Sequence, residues 1–347
     1  MTVFLPEYKP DWQSAADAVA ACPVHAVTPL REVEFDGVAV LIKEESARFG
    51  IGSFKALGGV YAVLESARDL HAGKGGPRPG IEELFSDAYR SLQRDMQFVC
   101  ASAGNHGIAV ATGARLLGAK ARIHLSAEVP EDFVARLNER GGDAVRSGVT
   151  YEESLDAALA DARESNATLV ADTAWEGYVD IPTLIMAGYS VIGEELRVAF
   201  ERHGRWPSDV YLQAGVGGLA GAMTWMIRQR WPVQPRIVIV EPAAATCLAS
   251  SHEAGMPVTV DGPVSSMGRL DCKTASPLAF DALKDANVEY LAVEDSAVEA
   301  CVMELADNGL SSTPSGSAGF AGWRLEHERG ACAGDRPLVI LSETGLG

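Results

Sequence analysis

The chain has 347 residues, enough for a large buried core in one large or two ordinary domains. Hydrophobic residues make up 47% and charged residues 22%, as in ordinary globular proteins. The net charge of −18 argues against nucleic acid or an anionic membrane as the main partner, because both require a basic face.

Apolar runs with strand character alternate with helical segments along most of the chain. Predicted strands cover residues 38–42, 97–101, 121–125, 168–171, 210–213, 236–240 and 337–341. Predicted helices cover residues 108–117, 151–163, 219–230, 297–308 and 318–329. This alternation predicts an α/β fold with parallel strands buried on both faces.

A glycine- and proline-rich segment at residues 71–80 predicts an exposed loop, which would cross between two lobes. A second crossover is predicted near Gly188. We therefore expect a large cofactor-binding domain from residues 1–70 and 189–347, and a small, substrate-closing domain from residues 71–188. A ligand would lie in the cleft between them, at the carboxyl ends of the strands.

Targeting and metal signals are missing from the sequence. No apolar run approaches the about 20 residues that span a bilayer, and the N-terminus does not resemble a secretory signal. The six cysteines include no Cys-x-x-Cys pair, so we expect neither a zinc site nor a disulfide framework. A cytoplasmic location is the default expectation.

Lys55 follows an apolar strand and a glycine-containing turn, and it enters a helical segment with apolar and small neighbours. A desolvated lysine loses proton affinity, and a neutral amine can form a Schiff base with an aldehyde. The alternative is a surface lysine that begins a helix.

The segment Ser102-Ala103-Gly104-Asn105-His106 also joins a predicted strand to a helix. Its small residues allow backbone N–H groups to approach an anion such as a carboxylate, and the helix N-terminus adds a favourable dipole. The Asn105 amide could meet an oxygen on a ring. The alternative is an ordinary turn in which Ser102 or Asn105 caps the helix.

A third turn, Gly215-Val216-Gly217-Gly218-Leu219, again follows a strand and opens a helix, and its glycines could cradle a phosphate. The glycine spacing also fits a dinucleotide fingerprint, with Glu241 near the position of a ribose-binding acid. That alternative gives the lysine and asparagine turns no role. Pyridoxal 5'-phosphate accounts for all three turns, since it needs an amine, a phosphate cradle and a partner for its ring hydroxyl.

With these motifs the chain resembles the fold-type II pyridoxal phosphate enzymes, the tryptophan synthase β-like superfamily, and within it the diaminopropionate ammonia-lyases. The resemblance also rests on the segments at residues 172–178, 181–183, 185–189, 240–242, 266–268 and 276–279. It implies two three-layer α/β/α lobes with the cofactor in the cleft, an amino-acid substrate and a homodimer. The implied reaction is an α,β-elimination that gives a 2-oxo acid and ammonia.

The resemblance also implies roles for individual residues. Lys55 would bind the cofactor and act as the base, and Asp172 would serve the β-substituent or a catalytic water, with a helix cap as the alternative for Asp172. The implied cofactor-binding residues are Lys55, Asn105, Gly215, Val216, Gly217, Gly218, Leu219 and Ser342. The implied substrate-binding residues are Ser102, Ala103, Gly104, His106, Arg269 and Lys273. Cys247 and Cys272 would lie near each other, where a disulfide is an open alternative to free thiols.

The chain departs from the family pattern near the expected substrate site. Ala103 and Thr274 stand where the family has an aspartate and a glutamate, whereas Arg269 and Lys273 replace small or apolar residues. Such changes disfavour a substrate with a second ammonium group, so we hypothesise an anionic or neutral β-substituent. The alternative is that both cations point to solvent. Two further functional readings stay open: a β-replacement synthase, and a ligand-binding homologue without turnover.

Overall fold

The computed structural model describes residues 4–102, 104–127 and 129–344. Its helices are α1 (Trp12–Ala21), α2 (Lys55–Gly73), α3 (Ile81–Leu84), α4 (Asp87–Gln93), α5 (Asn105–Leu117), α6 (Glu131–Glu139), α7 (Tyr151–Ser165), α8 (Asp180–His203), α9 (Gly218–Arg230), α10 (Cys247–Ala254), α11 (Pro277–Lys284), α12 (Asp295–Asp307) and α13 (Pro314–Glu328). Its strands are β1 (Leu30–Phe35), β2 (Val38–Glu44), β3 (Gln97–Ala101), β4 (Lys120–Leu125), β5 (Gly142–Arg146), β6 (Thr168–Leu169), β7 (Asp209–Gln213), β8 (Arg236–Pro242), β9 (Glu289–Val293) and β10 (Pro337–Leu341). None of these helices is long and apolar enough to cross a membrane.

The strands form two sheets. The larger has the order β1-β2-β10-β7-β8-β9 and is parallel except for the β1–β2 pair, and the smaller has the parallel order β5-β4-β3-β6. Helix α13 packs on β7 to β10 from one side while α9 packs on β7, and α5 and α7 both contact β3 and β4. Every residue of β7 and β10 is buried, as expected for central parallel strands. The predicted α/β class with two lobes is confirmed.

All seven predicted strands are present, but β1, β5 and β9 were missed. These three strands lie at sheet edges, where exposed positions carry charged residues and interrupt the apolar pattern. The predicted domain boundaries at 70 and 188 fall inside α2 and α8, two helices that pack against each other, and they stay a prediction.

Helix α2 packs closely against α5 because small residues face each other. A Cβ atom at Gly59 would lie 2.5 Å from the Ala109 Cβ, and one at Gly113 would lie 3.0 Å from the Val63 Cβ. Gly59 pairs with Ala109 and Val63 pairs with Gly113, so the residue numbers increase together along both helices. The two helices therefore run parallel. Their first residues, Lys55 and Asn105, are therefore brought to the same end of the helix pair.

Candidate active site

A cleft of about 680 Å³ lies between the two sheets. Its walls include each predicted site residue that the structure describes: Lys55, Ser102, Gly104, Asn105, His106, Asp172, Gly215, Val216, Gly217, Gly218, Leu219, Arg269, Lys273 and Ser342. Ala103 lies outside the described residues. The three turns that the sequence singled out thus meet at one place, while the role of each residue stays a prediction.

Lys55 is the first residue of α2, and its ammonium contacts a carboxylate that follows β6 of the smaller sheet. Its Nζ donates to Asp172 Oδ2 at 2.6 Å and lies 5.5 and 5.6 Å from the ring centroids of Phe54 and Tyr189. Burial acts to lower the pKa of Lys55, but Asp172 and Tyr189 outweigh it and raise the pKa above its ordinary value. The sequence led us to expect a lysine with reduced proton affinity. The ion pair with Asp172 gives the opposite result and raises the Lys55 pKa.

Asp172 follows β6, and its charge is stabilised by the same contact. Burial alone would raise the pKa of Asp172, but the charge and the hydrogen bond of Lys55 hold it well below the ordinary range. His106 is buried, and its Nε2 donates to the Val170 carbonyl at 2.7 Å. Burial lowers the pKa of His106, which favours a neutral ring next to the ion pair.

The Ser102–Asn105 turn begins α5 and is organised by a serine hydroxyl. The amides of Gly104 and Gly107 donate to Ser102 Oγ at 3.2 and 3.0 Å. Asn105 is buried, its Nδ2 donates to Glu343 Oε2 at 2.7 Å, and its Oδ1 has no hydrogen-bond partner. A buried oxygen without a partner is costly, so it marks a position where a bound group could donate.

The glycine turn joins β7 to α9 and cannot accept side chains at two positions. Gly217 has φ +99°, and a Cβ there would lie 2.9 Å from the Ala279 Cβ. A Cβ at Gly215 would lie 3.0 Å from the Cys272 sulfur. The first amides of α9 have no intrahelical acceptors and suit a phosphate.

These features test whether the residues fit pyridoxal phosphate. The cleft has a lysine amine, an unsatisfied amide oxygen, a glycine turn at a helix N-terminus and the buried Ser342. They therefore fit the aldehyde, the ring and the phosphate. The dinucleotide alternative fits poorly, because the two oxygens of Glu241 accept from the amides of Leu248 and Ala249 at the start of α10.

The two cations that the sequence placed near the substrate are both paired. Arg269 Nη1 forms an ion pair with Glu343 Oε1. Lys273 Nζ donates to Asp271 Oδ1 at 2.5 Å and to the carbonyls of Ala244 and Pro263 at 2.9 Å each, which uses its three N–H groups. Arg269 is about one-third exposed and keeps further donors, whereas the donors of Lys273 are all taken up by Ala244, Pro263 and Asp271.

Sequence reasoning missed several residues of the cleft. Glu343 is 3% exposed and contacts both Asn105 and Arg269, and Tyr151 and Trp175 also line the walls. Glu343 stood next to the predicted Ser342, so the adjacent carboxylate was the available signal. Tyr151 begins a helix and carried no signal of its own.

Cys247 and Cys272 are free thiols in this structure, as are the other four cysteines. Burial raises the pKa of Cys247, so its thiol is weakly reactive at neutral pH. Within the described residues, no group of three or more His, Cys, Asp or Glu side chains is arranged to hold a metal ion.

Comparison with known proteins identifies relatives over nearly the whole chain. The family profile "Pyridoxal-phosphate dependent enzyme" matches residues 22–343. Diaminopropionate ammonia-lyase from Escherichia coli K12 is 32% identical over 289 residues, which cover 82% of this chain and 71% of that protein. The Salmonella typhimurium enzyme of the same name is 30% identical over 324 residues, covering 88% and 79%.

A solved structure of a related enzyme has the same fold as this chain. The crystal structure of diaminopropionate ammonia-lyase from Escherichia coli, in complex with a pyridoxal phosphate reaction intermediate, superposes with a TM-score of 0.80. It is 27% identical and covers 99% of this chain and 91% of that chain.

Proposed function

Since the chain belongs to the pyridoxal-phosphate dependent enzyme family, as a lyase of fold type II, we propose that it catalyses α,β-elimination on a β-substituted amino acid. The products would be a 2-oxo acid and ammonia. One observation carries the proposal: the Lys55 amine and the Asp172 carboxylate meet at 2.6 Å in the cleft that also holds the glycine turn.

Eight residues of this chain would hold the cofactor. Lys55 would bind its aldehyde, the amides of residues 215–219 its phosphate, and Asn105 and Ser342 its ring. When bound, pyridoxal phosphate supplies an electron-withdrawing ring that acidifies the α-carbon of the substrate. The Ser342 hydroxyl is neutral, so it would not fully protonate the ring nitrogen.

Lys55 would remove the α-proton of the substrate through its Nζ. For this step the amine must be neutral, so the ammonium–carboxylate pair with Asp172 would not persist in the loaded enzyme. Asp172 would then face the β-substituent or a water, where its oxygen can hold a proton during departure of that group. His106 also lines the cleft, with its Nε2 engaged by the Val170 carbonyl.

The Ser102–His106 turn would bind the α-carboxylate of the substrate through backbone amides. Arg269 lies beside this turn, because a Cβ at Gly104 would be 3.8 Å from its Nε. We therefore propose that an anionic β-substituent contacts Arg269. Lys273 has no spare N–H group for that purpose.

A test begins with the purified protein and its visible absorbance. We expect a bound chromophore, and borohydride should fix it to the peptide that contains Lys55. Lys55→Ala should abolish this label, whereas Lys74→Arg, at an exposed position at the end of α2, should keep it. A colourless protein with an unmodified Lys55 peptide would refute the proposal.

Substrate assays separate the remaining alternatives. Formation of 2-oxo acid from 3-hydroxyaspartate, serine and L-2,3-diaminopropionate would be measured with and without an added thiol. A β-replacement synthase would convert the thiol into product, whereas a lyase would release the same 2-oxo acid in both cases. Rapid pyruvate formation from diaminopropionate would remove the anionic-substituent hypothesis.

We also propose a cytoplasmic homodimer, on the strength of the family resemblance alone. Sedimentation equilibrium of the purified protein would test the oligomeric state.

A further inference from the structure

A single buried carboxylate connects the cofactor side of the cleft with its substrate side. Glu343 follows the end of β10 and is 3% exposed. Its Oε2 accepts from Asn105 Nδ2 at 2.7 Å, and its Oε1 accepts from Arg269 Nη1 and from Thr313 Oγ1. These donors come from three separate parts of the chain.

The Glu343 side chain has little freedom to move. The backbone carbonyl of Glu343 accepts a hydrogen bond from the Ser312 hydroxyl at 2.9 Å, and the Glu343 backbone forms an antiparallel bridge with Ser53. A Cβ atom at Gly316 would lie 2.9 Å from the Glu343 Cγ, so the helix α13 backbone approaches the side chain directly. Glu343 is therefore a fixed acceptor with a defined direction.

Arg269 acquires a defined orientation from this acceptor. Glu343 engages Nη1, and the Arg269 backbone amide donates to Ser315 Oγ at 3.1 Å. Among the described residues, the guanidinium Nε and Nη2 have no protein acceptor, and Nε lies near Gly104. The edge formed by Nε and Nη2 matches the spacing of the two oxygens of a carboxylate.

The charges of Arg269 and Glu343 offset each other, so the pair itself adds no net charge to this wall of the cleft. Selection of a dicarboxylate over a monocarboxylate would depend on the geometry of the Arg269 guanidinium, which binds a planar carboxylate by two parallel hydrogen bonds. On the other side, Glu343 fixes Asn105 with Nδ2 engaged and leaves Oδ1 as the acceptor.

We propose that Glu343 is a positioning residue that orients Asn105 towards the cofactor and Arg269 towards a second carboxylate of the substrate. The preferred substrate is then a β-substituted amino acid with two carboxylates, such as 3-hydroxyaspartate. This inference rests on the proposed function only in taking the cleft as the amino-acid site.

The test uses Glu343→Gln in the holoenzyme, because glutamine keeps the size and removes the charge. Binding of succinate, a dicarboxylate without an amine, is measured by calorimetry, with butyrate as the monocarboxylate control. We expect the Kd of succinate to rise about tenfold or more, as for the loss of one charge-assisted hydrogen bond. Butyrate should change by less than about threefold. The absorbance maximum of the bound cofactor should also shift, because the Asn105 amide loses its fixed partner.

Two further variants define the result. Arg269→Lys keeps the charge but loses the planar edge, so it should weaken succinate binding as much as Glu343→Gln, and the double variant should add little. Glu328→Gln removes an exposed carboxylate at the end of α13 and should match the wild type. Unchanged succinate affinity and spectrum in folded Glu343→Gln would overturn the inference, as would additive losses in the double variant.

Neither readout requires turnover. A wild-type protein that binds succinate and cofactor but eliminates no amino acid would refute the proposed function and leave this inference standing.

Discussion

Replacing Glu241 by glutamine should change how the stability of this protein depends on pH. Glu241 is 1% exposed at the end of β8, and its two oxygens accept hydrogen bonds from the Leu248 and Ala249 amides at 2.8 and 2.9 Å. Burial raises the pKa of Glu241 from 4.5 to about 7, although the two amides act in the opposite direction.

The sign follows from the proton balance. Between about pH 4.5 and 7 the folded chain keeps the Glu241 proton and the unfolded chain has lost it, so the free energy of unfolding falls as pH rises. The stabilisation from the Glu241 proton is complete below about pH 4.5 and is lost above about pH 7. At about 1.4 kcal/mol per pKa unit, its full size is about 3 kcal/mol.

Urea unfolding at about pH 5.5 and about pH 8 would measure this effect, since the lower value stays above the isoelectric point of about 4.8. Glu241 should account for about 2 kcal/mol of lost stability over that interval. Glu241→Gln should lack this loss, whereas Glu253→Gln, on the exposed side of α10, should keep it. An equal pH dependence in wild type and Glu241→Gln would refute the assignment.

Three further substitutions test the cleft and its support. Asp172→Asn should lower kcat for 2-oxo acid formation about 100-fold or more, because an amide cannot exchange a proton with the departing β-group, although the same change lowers the Lys55 pKa. A normal rate would exclude Asp172 from proton transfer. Gly217→Ala should weaken cofactor binding at least about tenfold in an absorbance titration, because its φ is +99° and its Cβ would clash. Gly59→Ala should lower the free energy of unfolding by about 1–3 kcal/mol in urea, since a Cβ has no room between α2 and α5. Gly73→Ala, with no atom within 4 Å of its Cβ position, is the matched control for both glycine variants, and equal losses there would contradict the steric argument.

The sequence was sufficient to locate the three turns because each follows an apolar strand and precedes a helix. It could not show that Lys55 would pair with Asp172, since the two residues are 117 positions apart and follow strands of different sheets. Desolvation alone therefore predicted the wrong direction for the lysine pKa. The pairing of Lys273 with nearby carbonyls is likewise a property of loop geometry, which charge patterning does not contain.

The missed edge strands and Glu343 likewise depend on contacts in the folded chain that the sequence does not reveal. Strand β1 alternates charged and apolar residues, a pattern that a surface loop shares. Glu343 is one acidic residue among 47 Asp and Glu, and only the folded chain distinguishes it by burying it against Arg269 and Asn105.

The close contact between α2 and α5 restricts how this cleft can open. Because these parallel helices begin with Lys55 and Asn105, the amine and the amide lie on one closely packed helix pair, although they are separated along the chain by α3, α4 and β3. A hinge that parted them would have to separate Gly59 from Ala109 and expose apolar surface on both helices. We therefore expect any opening of the cleft to keep the spacing between Lys55 and Asn105 constant.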